Sequence, residues 1–202
     1  MAVTELASIV GDSQAEGLKP VLGPILARHG LELDDGKSWT RAGAGVVEIT
    51  EHAVRAGPVR LTIAVTGGGN DTIGNIETYR EKLVALVGTL RFAGAQEVIL
   101  VGPMLSDDPE VQARHEAARA VQSRGIPGAR WVDGFALSAF VGHPAGNPNH
   151  YSRNGYQAIG LELERAIFDS GTRTAIGLVG TLGFLGAAGV VLMEALYARA
   201  EG

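Results

Sequence analysis

Residues 6–30 read LASIVGDSQAEGLKPVLGPILARHG, and how this stretch folds decides the architecture of the whole chain. It opens with a short apolar run that stops at Gly11. From Gln14 to His29 the apolar residues Leu18, Leu22, Ile25 and Leu26 return at helical spacing, and Gly30 closes the helix. The reading is strand, sharp turn, helix, with Gly11-Asp12-Ser13 at the turn.

The same alternation continues outward from this unit. Residues 31–41 are poorly patterned, with room for a second strand before a loop at 42–45, and 46–56 reads as a short helix. Residues 59–65, VRLTIAV, are β-branched and almost wholly apolar, as a central strand buried on both faces requires. Helix 78–93, strand 97–101, a polar and exposed helix 109–123, strand 129–132 and an amphipathic helix 155–168 follow. Strands that alternate with helices predict an α/β fold: a parallel sheet covered by helices on both faces, with ligands at the carboxyl ends of its strands. No internal repeat is present.

Composition narrows the function. The 202 residues suffice for one full core, and 46% hydrophobic with 19% charged residues excludes a disordered chain. A net charge of -5 without a Lys/Arg run excludes the electrostatic footprint of a nucleic-acid binder. No cysteine is present, so there is neither a thiolate nucleophile nor a Cys-based zinc site, and any nucleophile is oxygen. No cofactor or metal is expected. Residues 1–10 carry acidic Glu5 where a secretory signal would be basic, so no signal peptide is expected.

Three segments carry chemistry, each at a predicted strand end. Ser13 sits where backbone N–H groups gather at a helix N-terminus, a place that both exposes a hydroxyl and favours developing negative charge. Alone, Asp12-Ser13 is more often just an N-cap. After strand 59–65 comes Thr66-Gly67-Gly68-Gly69-Asn70-Asp71, which joins a close-approaching backbone to an amide donor, the equipment of an oxyanion hole. No Gly-Lys-Ser/Thr follows, so the loop is no P-loop, and Glu48 stands where a dinucleotide fingerprint after Gly43-Ala44-Gly45 needs its last glycine. Late in the chain, residues 142–151 (GHPAGNPNHY) offer His143 and His150 as general bases, and His150, immediately before the final helix, is the preferred one. His29, His52 and His115 fall on predicted helices and read as exposed surface residues.

The ordered segments IVGDSQAEGL, TRAGAG, TGGGND and NPNHYSRNGY resemble the four blocks of the SGNH, or GDSL-like, hydrolase family, over residues 9–168. The resemblance implies a flavodoxin-like three-layer αβα sandwich with a central parallel sheet, and ester hydrolysis. It also implies Ser13 as nucleophile, His150 as base, and an oxyanion hole built from the Ser13 amide, a glycine and Asn70. Gly43 is taken as that glycine and Gly45 is the alternative. The family commonly carries Asp three residues before the histidine, where this chain has Asn147. An amide orients an imidazole but does not stabilise its cation as a carboxylate does. Three readings stay open: Asn147 as orienter in a Ser-His dyad aided by a backbone carbonyl, a carboxylate from elsewhere such as Asp133, or a catalytically weakened relative serving as a binding or structural module. The expected substrate is a small ester or an acylated carbohydrate.

Residues 174–193, TAIGLVGTLGFLGAAGVVLM, form an uncharged window about as long as a membrane span, with Gly177, Gly180, Gly183, Gly186 and Gly189 at a three-residue step. The expected organisation is therefore a hydrolase domain at 1–170 and an apolar C-terminal helix at 174–197. That helix would lie in a membrane of a cell envelope or viral particle, or against partner helices in an oligomer.

Overall fold

The structure is a computed structural model that describes residues 4–71 and 76–169. The apolar run 174–193 lies outside the described residues, and among those described no helix is long and apolar enough to cross a membrane.

The first strand, β1 (Glu5–Gly11), sends Ala7 and Ile9 into one core and Val10 into another, so both of its faces need cover. Helix α1 (Ser13–Ala27) buries Leu18, Leu22, Ile25 and Leu26 on the first face. The weakly patterned segment that follows holds two very short strands, β2 (Leu31–Leu33) and β3 (Trp39–Thr40), both paired to β1. Helix α2 (Val46–Ala53) packs Val46, Ile49 and Ala53 on the second face. Strand β4 (Val59–Val65) is the predicted central strand, buried everywhere except Arg60. Then come α3 (Ile76–Phe92), β5 (Ala95–Val101), α4 (Pro109–Gln122), β6 (Arg130–Val132), α5 (Gly134–Ser138) and α6 (Arg153–Phe168).

All strand pairs are parallel, in the order β2-β1-β4-β5-β6, with β3 also on β1. Leu61, Ile63, Ile99 and Val101 face the core shared with α1 and α6, while Ala64, Val98 and Leu100 face the one shared with α2, α3 and α4. The result is the expected three-layer αβα sandwich. Gly160 of α6 lets the first layer close tightly, since a Cβ there would stand 3.0 Å from Ile25 Cδ1. Strand order reverses between β1 and β4, and loops leaving a sheet at such a point diverge and leave a crevice. The loops after β1 and β4 are those that carry Ser13 and Asn70.

Two sequence expectations need correction. Helix α4 is not simply an exposed helix: it buries His115, Ala118, Val121 and Gln122, and His115 is only 4% exposed. Helix α5 was not expected at all; Asp133 caps it by accepting from the Phe135 N–H.

Candidate active site

At the end of β1, Gly11 has φ +157°, and a Cβ there would stand 2.3 Å from Val65 O and 2.7 Å from Ala15 Cβ. Only glycine lets the chain pass this close to β4. Asp12 then caps α1: one carboxylate oxygen accepts from the Gln14 N–H at 2.9 Å and the other from the Gly67 N–H at 2.7 Å. A single side chain thus joins the turn after β1 to the loop after β4. Burial pushes the Asp12 carboxyl up to about 6, against the pull of the Gly67, Gln14 and Ala15 amides. Ser13 is the first residue of α1, partly exposed, and its hydroxyl makes no hydrogen bond among the described residues.

The loops after β3 and β4 are tied together in the same way. Asn70 Nδ2 donates to Ala44 O at 3.2 Å, which spends one of its two N–H groups and leaves the other for a ligand. Gly45 at the start of α2 has no capping side chain, and Asp71 supplies the cap instead, accepting from the Val46 N–H at 3.1 and 3.3 Å. Burial raises the Asp71 carboxyl too, opposed by that same amide. Gly43 turns the loop at φ +82° with open space around it, whereas a Cβ on Gly45 would meet Asp71 Oδ1 at 3.1 Å. Neither glycine's N–H is spent on a hydrogen bond among the described residues, so both stay available as donors.

His115 forms the floor of the glycine loop. Its Nδ1 donates to Met104 O at 2.7 Å, and a Cβ on Gly69 would stand 2.9 Å from its Nε2. Burial pushes its pKa down, which favours the neutral ring. The repeat of His115, Ala118, Val121 and Gln122 at three- and four-residue steps was the sequence signal for this burial.

The loop between α5 and α6 carries both candidate bases, and their surroundings differ. His143 has a side chain only 4% exposed, with Nε2 3.1 Å from Leu105 O, Nδ1 3.1 Å from an Asp107 carboxylate oxygen, and its ring stacked on Tyr151. Both nitrogens are occupied, so His143 anchors the loop. The Asp107 N–H donates to Pro148 O at 2.9 Å, Tyr151 OH to Leu105 O at 2.8 Å, and Ser106 Oγ to Asn149 Oδ1 at 2.5 Å. His150 remains partly exposed, with Nδ1 3.1 Å from Asn147 Oδ1. A proton on Nδ1 donated to that oxygen leaves Nε2 as the basic nitrogen. Asp133, the alternative carboxylate, has both oxygens bound to Arg119, at 2.9 and 2.5 Å.

The residue after Ser13 and the residue before His150 are directly bonded: Gln14 Nε2 donates to Asn149 O at 2.7 Å. Segments far apart in sequence therefore meet at the carboxyl edge of the sheet, beside the loops of Gly43 and Asn70. Among the described residues no group of three His, Asp or Glu side chains is placed to hold a metal ion.

This parallel sheet order, flanked by helices on both faces, is the fold of the SGNH, or GDSL-like, hydrolases. A lipase/acylhydrolase from Enterococcus faecalis is similar at 19% identity, with 81% of this chain and 95% of that one covered and a TM-score of 0.60. A member of the lipolytic protein G-D-S-L family from Veillonella parvula is similar at 15%, covering 80% and 97%, with a TM-score of 0.58. A catalytic mutant of an acetylxylan esterase from Geobacillus stearothermophilus is similar at 12%, covering 82% and 94%, with a TM-score of 0.57. No protein-family model matches the chain, and no curated protein sequence matches it.

Proposed function

We propose that the protein is a serine esterase acting on small acyl esters of the acetyl type, with acylated carbohydrate as the favoured substrate class. The observation that carries this reading is the Gln14–Asn149 hydrogen bond, which joins the residue after Ser13 to the residue before His150. The acetylxylan esterase among the structural neighbours supports the substrate class.

In the first step Ser13 Oγ gives its proton to His150 Nε2 and bonds to the ester carbonyl carbon. Negative charge on the carbonyl oxygen is met by the Ser13 amide, the Gly43 or Gly45 amide, and the unspent N–H of Asn70. The bond to the alcohol breaks and His150 returns the proton to the leaving oxygen. Water, deprotonated by the same imidazole, then attacks the acyl-enzyme and releases the acid and Ser13. The orienter at 147 being an amide favours one other reading, a catalytically weak or inactive module on the same fold.

Turnover of an aryl acetate by wild type and Ser13→Ala, with labelling by a serine-directed phosphonate, tests the proposal. The expected loss in Ser13→Ala is about 10^4-fold or more, together with loss of labelling. Turnover retained in Ser13→Ala, or a wild-type chain that takes no label, would overturn it.

A further inference from the structure

We propose that Gln14 is a positioning residue, which holds the segment bearing His150 against the turn bearing Ser13. This rests on the Ser13–His150 reading above and adds to it how the pair is kept in register.

The Gln14 side chain is buried, at 4% exposure, and both ends of its amide are used. Nε2 donates to Asn149 O at 2.7 Å, and Oε1 accepts from Tyr156 OH at 2.9 Å. A carbonyl only accepts, so Nε2 must be the end that faces Asn149, and the phenol then fixes the other end. The phenol is itself held firmly. Tyr156 is 6% exposed, Tyr151 meets its ring edge-on at 5.6 Å, and its ring fills the space over Gly17, where a Cβ would stand 2.1 Å from Tyr156 Cζ. The chain of contacts runs from α6 through Gln14 on α1 to the backbone one residue before His150.

Two departures from the family pattern meet in this loop. The motif that names the G-D-S-L neighbours has leucine where this chain has Gln14, and a leucine makes neither bond. Asn147 stands where the family commonly has aspartate. Asn147 is exposed and offers an amide oxygen in place of a carboxylate, so it grips His150 less firmly. The buried amide of Gln14 restrains the same segment from the other side. A displacement of about 1 Å in a reacting group can cost about 100-fold in rate, so a bond that sets the backbone beside the base acts on turnover without touching substrate.

The test is Gln14→Leu, alone and combined with Asn147→Asp, with kcat, KM and phosphonate stoichiometry measured on each purified chain. The expected result is a kcat about 10- to 100-fold lower per phosphonate-titrated site, with KM within about twofold, partly recovered when Asn147→Asp restores a carboxylate to the loop. An unchanged kcat per titrated site would overturn the proposal, and so would a loss accounted for wholly by fewer titratable sites. Tyr156→Phe removes only the group that orients the amide and should lie between Gln14→Leu and wild type; a loss larger than that of Gln14→Leu would also overturn it. Failure of the Ser13 reading is seen separately, as turnover surviving in Ser13→Ala.

Discussion

Ser13, Gly43 and Asn70 stand on segments that leave strands β1, β3 and β4, whereas His150 stands on a loop that leaves the five-residue helix α5. The first group is joined by buried carboxylates on backbone amides, Asp12 on Gly67 and Asp71 on Val46, directly above two packed cores. The second is held by a set of side-chain and backbone hydrogen bonds from Leu105, Ser106, Asp107 and Gln14, near solvent. Strand-end groups inherit their position from the sheet, so altering one disturbs what it does more than where it is. The proposed base, His150, depends on local contacts, so small changes around it should alter rate while the fold stays intact.

Asn70→Ala puts the strand-end half to the largest test. Loss of one oxyanion donor should lower kcat by about 100- to 1,000-fold. The variant gives up only one part-buried bond, to Ala44 O, so its melting temperature should fall by a few degrees at most. A kcat within threefold of wild type on an aryl acetate would remove Asn70 from the oxyanion hole and break the comparison at its firmer end.

Asp12 offers a test of the same half through stability. Its folded value, about 6, lies above the ordinary 3.8, so the folded state holds this proton over a range where the unfolded chain has released it. The contribution is fully present below about pH 3.8 and is lost as pH rises through about 6, a change on the order of 3 kcal/mol. Asp12→Ser keeps a capping oxygen for the Gln14 N–H and removes the titration. Urea midpoints of both chains from pH 4 to 7 should show the wild-type advantage shrinking as pH rises. An advantage that grows with pH would mean that the amide hydrogen bonds, rather than burial, dominate this carboxyl.

The legibility of the chain follows the same division. Strand β4 was readable to the residue because a seven-residue run that is apolar or β-branched at every position but Arg60, set between two turns, has few alternatives. The turn at Ser13 and the loop at Asn70 were readable as strand ends because they adjoin β1 and β4. β2 and β3, three and two residues long, are too short to show alternation, and the five residues of α5 too short to show a helical period. His115 was misread because Arg114, Glu116 and Arg119 give α4 a polar surface that masks its buried stripe. The Gln14–Asn149 bond spans 135 positions and leaves no local pattern, so the feature that seats the base was the least legible of all.

Asn147→Asp makes the smallest expected change and addresses the loop half directly. In the wild type, Asn147 Oδ1 lies 3.1 Å from His150 Nδ1, so the tautomer that leaves Nε2 basic is already favoured and only charge is lacking. A hydrogen bond to a charged partner is stronger than a neutral one by about 1–1.5 kcal/mol, and that difference is felt as the imidazolium forms in the transition state. It corresponds to about a tenfold rise in kcat at neutral pH. Because the loop is pinned through His143, Pro148 and Asn149, the melting temperature should stay within about two degrees. A rise in kcat at constant stability would show that the sheet already places the machinery and that the amide at 147 limits its rate. An unchanged kcat would mean that some other acceptor, such as a backbone carbonyl, orients the ring during turnover, and the base half would then be less dependent on its side chains than the contrast with the strand ends implies.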